Sequence, residues 1–126
     1  MASALSALSR AGCPSPLVVL KRLGASSAGM LSFPSPGWTL ALDLPTGAAT
    51  AASSVLDGLD ELVREAGGRV SLVKDSRVRC DLVPAMYPRL AEWQAVRAEL
   101  DPAGVLTSDL DRRLDLSGMT RGRPEC

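Results

Sequence analysis

With 126 residues and 13.2 kDa, the chain has room for one domain and a modest core, and with aromatics at only 3% that core must come from Leu, Val and Ala. Basic and acidic side chains balance at 14 each, so no net field draws the chain to nucleic acid or to an anionic membrane. Histidine is absent, which excludes Ser-His-Asp and Cys-His hydrolases, His-ligated zinc and histidine general bases, and no metal site is expected.

The opening MASALSALSRAG reads as a short amphipathic helix, with Leu5 and Leu8 on one side and Gly12 as its stop. It has neither the cationic start nor the long apolar core of a secretory signal. PSPLVVLKRLG, bounded by Pro16 and Gly24, predicts a strand. GASSAGMLSFPSPG follows as a loop; Gly24 and Gly29 in it have P-loop spacing, but the Lys-Ser/Thr that would hold phosphate and magnesium is missing. No GxGxxG occurs, so a Rossmann-type dinucleotide site has no support. GWTLALDLP then alternates, with Trp38, Leu40, Leu42 and Leu44 on one face and Thr39, Ala41 and Asp43 on the other. That second face is small or polar: it is either solvated or a surface that something bulky can approach closely. Residues 23 to 42 carry no charge but are broken by two prolines, three glycines and four serines, so no membrane span is expected.

TAASSVLDGLDELVREAGG is the strongest helix, with Val55, Leu59, Leu62, Val63 and Ala66 as its apolar stripe. Gly67-Gly68 ends it, and VSLVKDSR predicts a strand over 69–73 with Val70 and Leu72 on its buried side. Lys74 stands at the mouth of that strand, followed by Asp75 and Arg77. A solvated strand end and a cation aimed at a bound ligand both fit this placement. A short helical turn is expected over 79–86. YPRLAEWQAVRAELDP is a second clear helix, opened by Pro88, striped by Leu90, Trp93, Val96 and Leu100, and stopped by Asp101-Pro102. Tyr87 and Trp93 read as packing residues. SDLDRRLDL is a short turn in which Arg112 and Arg113 read as solvated charges, and 117–126 is expected to be a disordered tail. Cys13, Cys80 and Cys126 are widely spaced without a CxxC, a pattern of reduced thiols in a cytosol-like compartment. The expected fold class is α+β, a mainly antiparallel sheet of about three strands covered by helices.

Four of these stretches, LSFPSPGWTLALDLP, KDSR, AMYPRLAEWQAVRAELDP and SDLDRRL, stand in the order and spacing of one family. From about Leu5 to Leu116 the chain resembles the C-terminal part of FAD-linked oxidases of the decaprenylphosphoryl-ribose oxidase type, relatives of the aldonolactone oxidases in the vanillyl-alcohol-oxidase superfamily. The resemblance implies that residues 1–116 are the last part of a substrate domain, with the FAD-binding domain lying outside this chain or on a separate FAD protein, so that the chain alone would not retain FAD. The reaction implied is oxidation of a ring hydroxyl of a lipid-linked, polyprenyl-phosphoryl pentose to a ketone, with hydride passing to FAD, on the way to cell-wall arabinan. A nicotinamide-dependent short-chain ketoreductase then completes an epimerisation. The implied location is cytoplasmic, with membrane association through the lipid substrate.

Residue by residue, Lys74 matches a lysine that reaches flavin and substrate, where a cation favours hydride transfer by stabilising the negative charge of the reduced ring. Ser71, a cofactor-side position, stands where a tyrosine is usual; Thr39 and Ala41, on the substrate side, stand where well-known members carry asparagine and cysteine. An aldonolactone oxidase is the alternative within the class. The reading from another class is a non-catalytic remnant, or a subunit lending its surface to a separate FAD protein.

Overall fold

A computed structural model describes residues 2–12, 15–45, 47 and 52–119. Cys13, Cys126, the expected tail from Thr120 onward, and Thr50 and Ala51 at the start of the expected helix lie outside the described residues. The chain divides into two units, Met1–Ser27 with Pro34–Gly68, and Ala28–Phe33 with Arg69–Cys126.

The first unit holds helix α1 (Ala2–Arg10), strands β1 (Leu17–Leu23) and β2 (Gly37–Asp43), and helix α2 (Ser53–Glu65). Gly12 ends α1 as expected: at φ 61 it adopts a conformation costly for residues with a Cβ, and its N–H donates to the Ser9 carbonyl at 3.1 Å. β1 and β2 pair antiparallel from Leu17 opposite Asp43 to Leu23 opposite Gly37. Opposed residues share a face, so Val18 and Leu20 join Leu42, Leu40 and Trp38, while Val19 and Lys21 lie beside Ala41 and Thr39. Leu8 of α1, Ala52 and Leu56 form a small buried cluster, with Leu42, Leu44 and Leu59 packed on it. The apolar face of the hairpin is therefore covered near Leu42, while Trp38 at its far end stays 61% exposed.

The buried line of α2 runs through Leu56 and Asp60, not through the expected Val55–Leu62 stripe, and Leu62 is exposed. The apolar partners Leu8, Leu42 and Leu44 all pack on the Leu56 side, and they, not the helix's own pattern, choose the inward face. Gly67 and Gly68 close α2 as expected, donating to the carbonyls of Arg64 at 2.9 Å and Val63 at 2.8 Å.

The second unit is helical: a 3-10 turn (Cys80–Leu82) leads into α3 (Val83–Met86), followed by α4 (Leu90–Leu100) and α5 (Asp109–Leu114). The expected turn over 79–86 is present. Its core is built from Val78, Leu82, Val83, Met86, Tyr87 and Leu90, with Leu114 and Leu116. The strand expected over 69–73 is absent; the chain turns there instead, the Lys74 N–H donating to the Ser71 carbonyl at 3.2 Å. An alternating pattern becomes a strand only where a ladder partner exists, and here the Val70 carbonyl is taken by the Tyr87 hydroxyl at 2.7 Å while Val73 is left 93% exposed.

In α4 the expected stripe is buried at Leu90, but Val96 and Leu100 are exposed. Farther along the helix, polar side chains make the contacts: Gln94 donates to the Leu116 carbonyl at 2.9 Å and Arg97 pairs with Asp101 at 2.6 Å. Ser117 is buried, its N–H donating to Asp111 at 2.7 Å. Cys80 is disulfide-bonded, against the expectation of reduced thiols; sequence spacing does not report which cysteines meet in space. The α+β class with an antiparallel sheet holds, with two strands among the described residues where about three were expected. Among the described residues no helix is long and apolar enough to cross a membrane.

Candidate functional site

The residues singled out in the sequence fall into two pairs. Thr39 and Ala41 are neighbours on one face of β2 in the first unit, both half-buried, opposite Lys21 and Val19. The ladder fixes their direction whatever their side chains are. Ser71 and Lys74 belong to the second unit, where one backbone hydrogen bond closes a turn between them.

That turn is pinned by side chains from three places in the sequence. The Tyr87 ring, 1% exposed, anchors it from below, its hydroxyl bonded to the Val70 carbonyl at 2.7 Å; burial pushes the pKa of that hydroxyl above the usual tyrosine range. Arg69 lies 5.7 Å over the same ring and donates to the Ser32 carbonyl. Asp75 folds back on its own backbone, one carboxylate oxygen accepting from the N–H groups of Arg77 at 3.0 Å and Val78 at 2.8 Å. Its other oxygen takes the Arg113 guanidinium, which also donates to the Val78 carbonyl at 2.9 Å.

Lys74 itself is exposed and pairs with no carboxylate among the described residues. A fixed turn thus displays one ammonium that makes no ion pair among the described residues. It can bind or stabilise negative charge; with no histidine in the chain, it has no imidazole to work with as a proton shuttle. Among the described residues no cluster of three or more potential metal ligands occurs. Two clefts, of about 370 Å³ beside Arg97 and Asp111 and about 450 Å³ beside Ala7 and Leu59, are lined by none of the four singled-out residues.

Sequence reasoning missed the parts that hold the turn. Arg113, read as a solvated charge, is one half of an ion pair whose other half, the Asp75 side chain, is 2% exposed. The available signal was local: an aspartate whose carboxylate can accept from the N–H groups two and three residues on is a turn-former. Nothing in the sequence pointed to its partner 38 residues on.

No family model matches the chain. It is 53% identical over 105 residues to a protein of Streptomyces coelicolor described as an uncharacterized protein in the mprA 5' region, a match covering 83% of this chain and 28% of that protein. It is 42% identical over 109 residues to the decaprenylphosphoryl-beta-D-ribose oxidase of Mycolicibacterium smegmatis, covering 86% of this chain and 23% of the oxidase. A span of that length in this chain cannot avoid Thr39, Ala41, Ser71 or Lys74. The chain spans about a quarter of the length of these curated relatives, and over most of its own length it resembles a decaprenylphosphoryl-ribose oxidase.

Proposed function

We propose that this chain supplies the Lys74 turn and the Thr39–Ala41 strand face to an FAD-dependent oxidase that converts a ring hydroxyl of a polyprenyl-phosphoryl pentose to a ketone. The observation that carries the reading is the 42% identity, over 86% of the chain, to the mycobacterial oxidase. The exposed ammonium on a pinned turn fits the ring end of FAD, where a cation is useful; the pyrophosphate, for which the sequence has no glycine fingerprint, is held by protein outside this chain. FAD, when bound, would supply the acceptor for the hydride of the alcohol carbon, with the hydroxyl proton leaving to solvent. Lys74 holds a positive charge beside the acceptor, where negative charge gathers in the transition state. Thr39 and Ala41 offer short side chains to the sugar, leaving room for a bulky ring. A short-chain ketoreductase is the partner that consumes the ketone.

The test is a hybrid in which residues 5–116 replace the matching segment of the Mycolicibacterium smegmatis oxidase. Lys74→Met keeps most of the stem's bulk, and the expected outcome is slower anaerobic flavin reduction by on the order of 100-fold or more, with unchanged circular dichroism. A methionine variant as fast as its parent sinks the reading. The 126-residue chain purified with excess FAD is expected to leave gel filtration without a stoichiometric flavin band.

A further inference from the structure

We infer that the Asp75–Arg113 pair is a positioning device for Lys74, acting on the chemistry only through the direction in which that ammonium points; this rests on the flavin reading of Lys74. Lys74 and Asp75 share a peptide unit, so whatever fixes Asp75 fixes one end of the Lys74 backbone. The other end is fixed by the Lys74 N–H on the Ser71 carbonyl. Asp75 has both carboxylate oxygens engaged, one by two backbone N–H groups and one by Arg113. Arg113 in turn spans two acceptors, one guanidinium nitrogen donating to the Asp75 carboxylate and the other to the Val78 carbonyl, a spacing that the one nitrogen of an ammonium reproduces less well.

The far end of this brace is itself held. Ser108 caps α5 by accepting from the Asp111 N–H at 3.0 Å, Asp111 takes the Ser117 N–H, and Gln94 ties Leu116 to α4. A partly buried ion pair such as this is a poor route to stability alone, since apolar side chains of similar volume often do as well. It is a good route to one orientation, because both partners must meet in one geometry. With the backbone fixed on both sides, Lys74 keeps only its side-chain torsions.

Two measurements test this. In the 126-residue chain, Arg113→Met is expected to speed hydrogen exchange of the Arg77 and Val78 amides at least tenfold, with the β1–β2 ladder amides unchanged, and Arg113→Lys to restore part of the protection. In the hybrid oxidase, Arg113→Met is expected to slow flavin reduction by roughly 10- to 50-fold when Lys74 is present and by less than about twofold when Lys74 is already methionine. Unchanged amide exchange overturns the brace. Equal losses in both backgrounds, with Lys74→Met itself slow, overturn the positioning role alone. If Lys74→Met reduces flavin at the parental rate, the flavin reading falls and takes the positioning role with it, whatever the exchange shows.

Discussion

The hairpin and the Lys74 turn present candidate residues by opposite means. In the hairpin, Thr39 and Ala41 are aimed by a backbone ladder that any side chain of tolerable shape leaves intact. In the turn, Lys74 is aimed by side chains: Tyr87 under Val70, Asp75 on Arg77 and Val78, and Arg113 on Asp75. A ladder is robust to single substitutions, whereas a brace of side chains has several points at which one substitution undoes it. The fold thus lets the strand face vary and constrains the neighbours of the lysine.

The contrast is broken most forcefully at Tyr87. Tyr87→Ala removes a buried ring from the second unit's core and the donor to Val70; loss of a large aromatic of this kind costs about 3–5 kcal/mol. Denaturant unfolding followed by circular dichroism is expected to show a loss of that size. Tyr87→Phe, which keeps the ring and leaves only the Val70 carbonyl without its donor, is expected to cost about 1–2 kcal/mol. If both variants unfold like the parent, the turn is not held from below.

Asp75→Ala comes next. It strands two N–H groups and one guanidinium, but Arg113 is one-third exposed and water can reach it, so about 2 kcal/mol is expected in place of the larger value for a fully buried pair. Ser108→Ala, which removes the cap of α5, is expected to cost about 1 kcal/mol. Both are read as shifts of the denaturant midpoint.

The same contrast explains which parts were legible in the sequence. The alternation of Trp38 to Leu44 lies within one contiguous stretch, and the two faces read from it are the two faces of β2 in the hairpin. The Val70–Leu72 alternation looked equivalent, yet a strand needs a partner that no local pattern names, and there the Tyr87 hydroxyl took the carbonyl a ladder would have used. In α2 the apolar stripe was real, but the neighbours that bury it lie on the Leu56 side. Lys74 could be singled out because its position is a property of the chain; the Asp75–Arg113 pair could not, because a contact across 38 residues leaves no periodic trace.

Acid should act on the second unit through Asp101. The Leu106 N–H at 2.8 Å and the Val105 N–H at 3.0 Å, with Arg97 beside them, hold its carboxyl down at about 2. An unfolded chain gives an aspartate its ordinary value near ~3.9, so the folded value is depressed. The stabilisation is therefore complete above pH ~4 and is lost as pH falls through the folded value. The melting temperature is expected to fall between pH ~4 and about 2, and Asp101→Asn to flatten that slope while lowering stability at neutral pH. A wild-type slope retained in the asparagine variant assigns the acid sensitivity to another carboxylate.

The smallest effect on folding is expected at the strand face, and there the comparison is sharpest. Thr39→Asn and Ala41→Cys introduce the residue types that the family resemblance associates with these two positions. Thr39 lies opposite Lys21 and Ala41 opposite Val19, all on the face turned away from the Leu42–Leu56 cluster. Neither substitution removes a ladder hydrogen bond, because those bonds belong to the backbone. Asparagine is a poorer strand residue than threonine, and cysteine is only slightly larger than alanine on a half-open surface, so each change is expected to stay within about 0.5 kcal/mol. Their effect belongs to the reaction: in the hybrid oxidase the pair is expected to alter the apparent KM for the lipid-linked sugar while leaving the limiting rate of flavin reduction nearly unchanged, since the cation at Lys74 is untouched. A loss above about 1 kcal/mol in the denaturant midpoint would mean that the strand face, like the turn, is held by its side chains. A change confined to the limiting rate would move Thr39 and Ala41 from the sugar to the hydride transfer.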